Sequence, residues 1–137
     1  MDFDLEDIPM SITVNGAYST LPNGRRCKSP AYARYIKEFD GYVLTKVNEI
    51  KALKSNLEGH TSLVLELVFY FPKDKLFYPD GNPKKLDVSN RIKVIEDLLC
   101  NALGIDDSLI FDLHAKKRIA EKESISLCIR PLLEEFV

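Results

Sequence analysis

Apolar positions along this chain recur in two ways, at helical spacing and in alternation, and the two patterns lay out its elements. Tyr35, Ile36, Phe39, Tyr42, Val43, Val47 and Ile50 return every three or four residues, the signature of one helix face. Ser29 and Pro30 stand ahead of them, a capping side chain followed by a proline whose missing N–H the first turn does not need. The spacing predicts a helix from there to about Leu53, followed by a polar loop from Lys54 to His60, with the helix's aromatics, Tyr32 included, in the core. Leu63 to Phe71 is apolar at every position except Glu66 and stops at Pro72, which suits a strand covered on both faces. Glu66 is then expected at a strand end near solvent or held by a partner. Ile92, Ile95, Leu98, Leu99, Ala102 and Leu103 mark a second amphipathic helix, and Gly104 sits where a left-handed cap would end it. Alternation runs from Leu109 to Ile119 and again through Ile125, Leu127 and Ile129, which predicts two antiparallel strands joined by a hairpin. A short first strand is expected at Ser11–Val14, before the Asn15-Gly16 turn signal, and 132–137 reads as a tail.

The resulting order, β-α-β-α-β-β, predicts an α+β fold of two layers, a mixed β-sheet with two main helices on one face. With 137 residues, no internal repeat and no linker-like stretch, the whole of 1–137 is expected to be a single domain. Composition adds little to this: 45% hydrophobic and 29% charged residues are ordinary for a folded chain. The formal net charge of −2 means that any contact with nucleic acid must come from local basic patches and metal ions. Cys27, Cys100 and Cys128 are odd in number and lack ligand spacing, so neither a disulfide framework nor a zinc site is expected. An acidic start and no long apolar run point to a cytoplasmic protein without membrane contact.

Candidate chemistry gathers at the two ends of the second helix. Lys84-Lys85-Leu86-Asp87-Val88-Ser89-Asn90-Arg91-Ile92-Lys93 opens it, and Gly104-Ile105-Asp106-Asp107 follows it. Asn90 and Lys93 lie three apart on one side of the helix, with Asp97 a turn further on. The helix rise alone would hold its ends roughly 20 Å apart, so Asp107 approaches Asp87 only if the following strand runs back alongside. Converging carboxylates would suit Mg²⁺ and hydrolysis at phosphorus, with a lysine steadying the charge on the phosphate. The spacing is equally compatible with an N-cap at Asp87 or Ser89, a polar turn at Asp106-Asp107-Ser108, and a Lys93–Asp97 pair on a wet helix face. A loop with Arg25, Arg26 and Lys28 offers positive charge that would meet phosphates or simply be solvated.

At these residues the sequence resembles the RusA family of Holliday-junction resolvases, found in bacteria and their phages. The family pattern is Asp-x-Asp-Asn-x-x-Lys opening a helix that carries an aspartate and leucines, then Asp-Asp ahead of a β-hairpin. Asp87, Asn90, Lys93, Asp97, Asp106 and Asp107 match it in order, and Asn15, Tyr18 and the long first helix resemble the family's N-terminal half. The resemblance implies a Mg²⁺-dependent homodimer, Mn²⁺ being an alternative ion, that makes paired symmetric nicks in a four-way DNA junction. Asp87 and Asp107 would bind metal, Lys93 would assist at the phosphate, and Asn90 would position the aspartates. Phosphate contacts are expected from Arg25, Arg26, Lys28, Lys84, Lys85, Arg91, Lys116, Lys117 and Arg118. One position departs from the pattern: the second aspartate is Ser89, a far poorer Mg²⁺ ligand. Either Ser89 reaches the metal through water, or Asp106 or Glu66 substitutes, or cleavage is lost and a junction-binding protein is left. A small interaction module with a capped helix is the reading from a different functional class.

Overall fold

A computed structural model of the protein describes residues 2–133. In chain order it contains β1 (Leu5–Ile8), α1 (Val14–Ala17), β2 (Tyr18–Thr20), β3 (Arg26–Lys28), α2 (Pro30–Thr45), α3 (Val47–Leu57), β4 (Leu63–Phe71), α4 (Lys73–Leu76), α5 (Ser89–Leu103), a 3₁₀ turn (Asp107–Leu109), β5 (Ile110–Ile119) and β6 (Ser124–Pro131). The fold is α+β: a mixed four-stranded sheet in the order β1-β6-β4-β5, and a separate β2-β3 hairpin.

β4 is the central strand, as its run of apolar residues, broken only by Glu66, predicts. Leu63, Leu65, Leu67, Phe69 and Phe71 are buried in one cluster with Phe39 of α2, Ile50, Leu53 and Leu57 of α3, and Ile95, Leu99 and Leu103 of α5. The helices therefore cover one face of the sheet. Val64 and Val68 on the other face are also only 5% exposed. Between them Glu66 receives Lys116 Nζ at 3.0 Å, which answers how an acid survives in this strand.

Three expectations need correction. β5 and β6 do not form a hairpin: β4 lies between them, parallel to β5 and antiparallel to β6. Alternation assigns faces but says nothing about neighbours, and the short link after β5 only has to cross the end of β4, where Ala120 N donates to the Phe71 carbonyl. The first strand is Leu5–Ile8, not Ser11–Val14. Thr13 caps a helical turn there, its Oγ1 accepting from Gly16 N, so the Asn-Gly signal is used inside that turn. The first long helix breaks at Lys46 (φ −121°, ψ 26°), and α3 continues to Leu57 through residues expected to be loop.

Both caps read from sequence are present. Ser29 Oγ accepts from Tyr32 N, and Gly104 takes the left-handed conformation at φ 69°. Of the expected tail, Leu132 and Leu133 lie beyond β6, and 134–137 fall outside the described residues. Among the described residues no helix is long and apolar enough to cross a membrane.

Candidate active site

α5 organises the site because its sequence puts charge on the face its apolar stripe leaves free. Lys93 and Asp97 are one turn apart, and Lys93 Nζ lies 2.9 Å from Asp97 Oδ1. Asp107 arrives at the same ammonium from beyond the helix end, with Oδ2 also 2.9 Å away. The return depends on Gly104, whose left-handed backbone lets Ile105 N donate to the Cys100 carbonyl and turns the chain back. Asp106 then caps the 3₁₀ turn, accepting from Ser108 N at 2.8 Å, and so leaves its neighbour facing α5.

Glu96 completes the group, with Oε1 3.8 Å from Lys93 Nζ. Glu96, Asp97 and Asp107 can each place a carboxylate oxygen within 4.8 Å of the others, the grouping suited to a metal among the described residues. Glu96 has the most buried side chain of the three, and burial raises its pKa. The Asp97 and Asp107 carboxylates raise the pKa of Lys93, which stays charged. Burial also pushes the neighbouring Cys100 thiol up to about 12, so it is no nucleophile.

Asp87 and Ser89 stand at the other end of α5. Asp87 Oδ1 accepts both the Ser89 hydroxyl, at 2.7 Å, and the Ser89 N–H, at 3.1 Å. Those bonds lower the Asp87 pKa. Asp87 thus holds Ser89, the first residue of α5, and the acids that gather around Lys93 are others. Asn90 is exposed on the first turn.

The basic residues divide into groups. Arg25, Arg26 and Lys28 belong to the β2–β3 hairpin, where Arg26 lies over the Tyr18 ring at 4.8 Å and Lys28 over Tyr32 at 5.5 Å. Tyr32 packs with Val94 and Leu98 of α5, and its hydroxyl feels Asp97 and Lys93, so this hairpin flanks the acids. Lys117 donates to the Leu86 carbonyl, which brings it beside Asp87 together with Lys84 and Lys85 on the same segment. Lys116 and Arg118 share the other sheet face with Glu66. Arg91 is engaged internally: it donates to the Ser11 carbonyl, its guanidinium lies over Phe71, and its own carbonyl accepts from Ser11 Oγ.

The structure therefore brings together Lys93, Asp97 and Asp107 from the expected stretch, holds Asp87 with Ser89, and leaves Asp106 in a turn. Glu96 was missed, although its three-residue offset from Lys93 was a usable signal. A depression of about 350 Å³ lined by Asp97, Cys100, Asn101, Ile105, Asp106 and Asp107 adjoins the acids. A roomier hollow of about 650 Å³ lies at Phe77, Tyr78 and Lys84, away from the acids.

Against known families, the model described as endodeoxyribonuclease RusA matches residues 9–130, a span that holds the acids, α5 and the basic hairpin. No curated protein matches the chain at a significant level.

Proposed function

The chain belongs to the RusA family of endodeoxyribonucleases, and on that premise we propose that it is a single-domain, divalent-cation-dependent enzyme resolving four-way DNA junctions. In this reading it works in the cytoplasm of a bacterium, encoded by the host or a phage, as a homodimer that makes paired symmetric nicks. A two-fold dimer offers two equivalent sites to a junction of near two-fold symmetry.

The observation that carries the reading is Lys93 held at 2.9 Å by both Asp97 and Asp107, with Glu96 alongside. A cluster of carboxylate oxygens that already accommodates a positive charge fits a hard cation such as Mg²⁺ or Mn²⁺. Asp107, Asp97 and Glu96 would hold it, and Asp87, the family's ligand position, has Oδ1 committed to Ser89 and Oδ2 available. When bound, such an ion supplies Lewis-acid stabilisation at a phosphate and a more acidic water. Lys93 then neutralises charge on the phosphate, and Asn90 orients the aspartates from the first turn of α5. Arg25, Arg26 and Lys28 on one side, and Lys84, Lys85 and Lys117 on the other, would track the DNA backbone by charge.

Ser89 supports a second reading, a junction-binding protein with weakened cleavage. Its hydroxyl donates to Asp87, where the family's aspartate would add negative charge. Incubation with a synthetic four-way junction and Mg²⁺ or Mn²⁺ decides between them. Paired nicks that Asp107→Asn abolishes while binding survives support the enzyme. Salt-sensitive junction binding with no cutting in either metal supports the second reading, and no preference for a junction over duplex refutes both.

A further inference from the structure

The segment between α4 and α5 holds an aromatic hollow apart from the acidic cluster. It is lined by Phe77, Tyr78 and Pro79 together with Lys73, Asp74 and Lys84. Its volume of about 650 Å³ falls in the range of small-molecule sites, ~300–1,000 Å³. Leu76 and Phe77 anchor the segment in the main core, whereas Tyr78 stands outside that core and is 52% exposed. The lining is shaped in advance. Tyr78 N donates to the Asn82 carbonyl at 2.8 Å, Gly81 N to the Tyr78 carbonyl at 2.9 Å and Lys84 N to the Leu76 carbonyl at 2.7 Å, and Phe77 bridges to Pro83. Asp80 spends its charge inside this turn, accepting from Asn82 N at 2.9 Å and from Asn82 Nδ2 at 3.0 Å. A ligand entering here therefore meets walls already in place, which lowers the cost of binding.

We propose that this hollow takes one unpaired nucleotide of branched DNA, the base stacking on the Tyr78 ring beside Phe77 and Pro79 and the phosphate meeting Lys84 and Lys73. The inference rests on the junction-resolving reading above and adds a contact to the same substrate. Charge points to a nucleotide rather than an apolar ligand: two lysines line the hollow against one acid, and Lys84 Nζ already lies 5.4 Å from the centroid of the Tyr78 ring. An aromatic face accepts any base, and a cation beside it both supports the stack and neutralises a phosphate. Asp74 supplies an acceptor for an exocyclic amino group on the base edge.

The hollow also continues the basic strip. Lys84 and Lys85 lead to Leu86, whose carbonyl receives Lys117, and then to Asp87. A strand tracked by those lysines runs past Tyr78. A base inside continuous duplex is stacked on both sides and does not enter, whereas an unpaired base at a branch point is extruded at the least cost. The hollow thus offers a preference for branched DNA that phosphate contacts, the same on every duplex, do not supply.

Fluorescence anisotropy on the full chain, without divalent metal so that nothing is cut, tests the proposal on two four-way junctions. Both carry one extra unpaired nucleotide at the branch point, a deoxyadenosine in one and an abasic residue in the other. Wild type is expected to bind the first about tenfold more tightly. Tyr78→Ala should lose about that factor on the adenine junction and less than about twofold on the abasic one, while Tyr78→Phe, which keeps the ring, should bind both as wild type does. Equal wild-type affinity for the two junctions, a Tyr78→Ala loss of the same size on both, or a Tyr78→Phe loss as large as that of alanine overturns the stacking site. The comparison of the two DNAs in wild type needs no variant, so a folding defect does not imitate it. Junction binding and cutting that persist although the base makes no difference overturn the hollow alone and leave the resolvase reading standing. No binding to either junction overturns both.

Discussion

Lys93→Met should bind a divalent cation more tightly and cut DNA more slowly than wild type, a pairing of opposite signs that few other substitutions would give. The ammonium occupies the place among three carboxylates that a metal would take. Its two close contacts, each 2.9 Å, join groups that are far from buried: the Lys93 side chain is 56% exposed, Asp97 39% and Asp107 42%. Unit charges at such distances attract by about 1.4 kcal/mol in water, and exposed pairs retain about 0.2–1 kcal/mol each. A cation entering the site must therefore displace contacts worth about 0.4–2 kcal/mol in all. Removing the lysine returns that amount as affinity, about 2- to 30-fold. Because the acids hold the lysine pKa above its ordinary value, the competitor stays charged across neutral and mildly alkaline pH. The difference should shrink in high salt, as exposed charges are screened. Titration with Mn²⁺, followed calorimetrically or by its electron spin resonance, measures the affinity, and junction cleavage run alongside should fall by about 100-fold or more. If the variant bound Mn²⁺ no better than wild type, the view that lysine and metal share these carboxylates would be refuted.

The remaining expectations concern the acids, a cap and one ion pair. Asp107→Asn should abolish detectable Mn²⁺ binding at concentrations that saturate wild type, with junction affinity measured by gel shift kept or raised because a negative charge has gone. Ser89→Asp should tighten Mn²⁺ binding in the same titration, and an unchanged affinity would place residue 89 outside the metal's reach. Ser29→Ala removes the acceptor for Tyr32 N and the donor to the Gly16 carbonyl at 2.6 Å, and should cost about 1–2 kcal/mol in urea unfolding. Glu66 is 13% exposed, and its Lys116 hydrogen bond lowers its pKa. The stability it contributes is present above the unfolded carboxyl pKa and disappears as pH falls through the lower folded value. Glu66→Gln should therefore lower the melting temperature at neutral pH by several degrees, for about 1 kcal/mol, and the gap should close below about pH 4.

Elements governed by local physics were legible in the chain. Ser29-Pro30 sets a helix start and Gly104 a helix end through the backbone of a few residues, and both are where the sequence puts them. The run at 63–71, apolar but for Glu66, marks the central strand because such a run suits a strand buried on both faces, and a central strand is the one so placed. What failed were choices between partners. The alternating segment at 110–119 fits equally well beside β6 or beside β4, and the outcome depends on α5, which supplies the crossover that a parallel β4–β5 pair requires. Ser11 is another case: its burial comes from an exchange of bonds with Arg91, eighty positions away, that no local propensity reports.

The candidate site divides along the same line, and the division bears on Ser89. Most candidates for chemistry, Glu96 excepted, were visible as polar groups that the hydrophobic pattern had no use for; which of them meet was not, because that depends on how far the turn at Gly104 carries Asp107 back along α5. It carries Asp107 as far as Asp97 and Lys93, roughly two and three turns inside the C-terminal end of the helix. Asp87, fixed to the first residue of α5, keeps company with Ser89. An aspartate at position 89 would stand against Asp87 and repel it, whereas the hydroxyl bonds to it and lowers its pKa. On the proposed metal-dependent reading, the serine leaves Asp87 satisfied within its own end of α5, and the carboxylates for an ion would come from Glu96, Asp97 and Asp107. If that is how this chain compensates, Glu96→Gln should weaken Mn²⁺ binding in wild type and do so much less in Ser89→Asp, where a carboxylate has been returned to the family position. Equal losses from Glu96→Gln in the two backgrounds, measured in one double-mutant cycle, would show that the two ends of the helix act independently and that Ser89 needs no compensation.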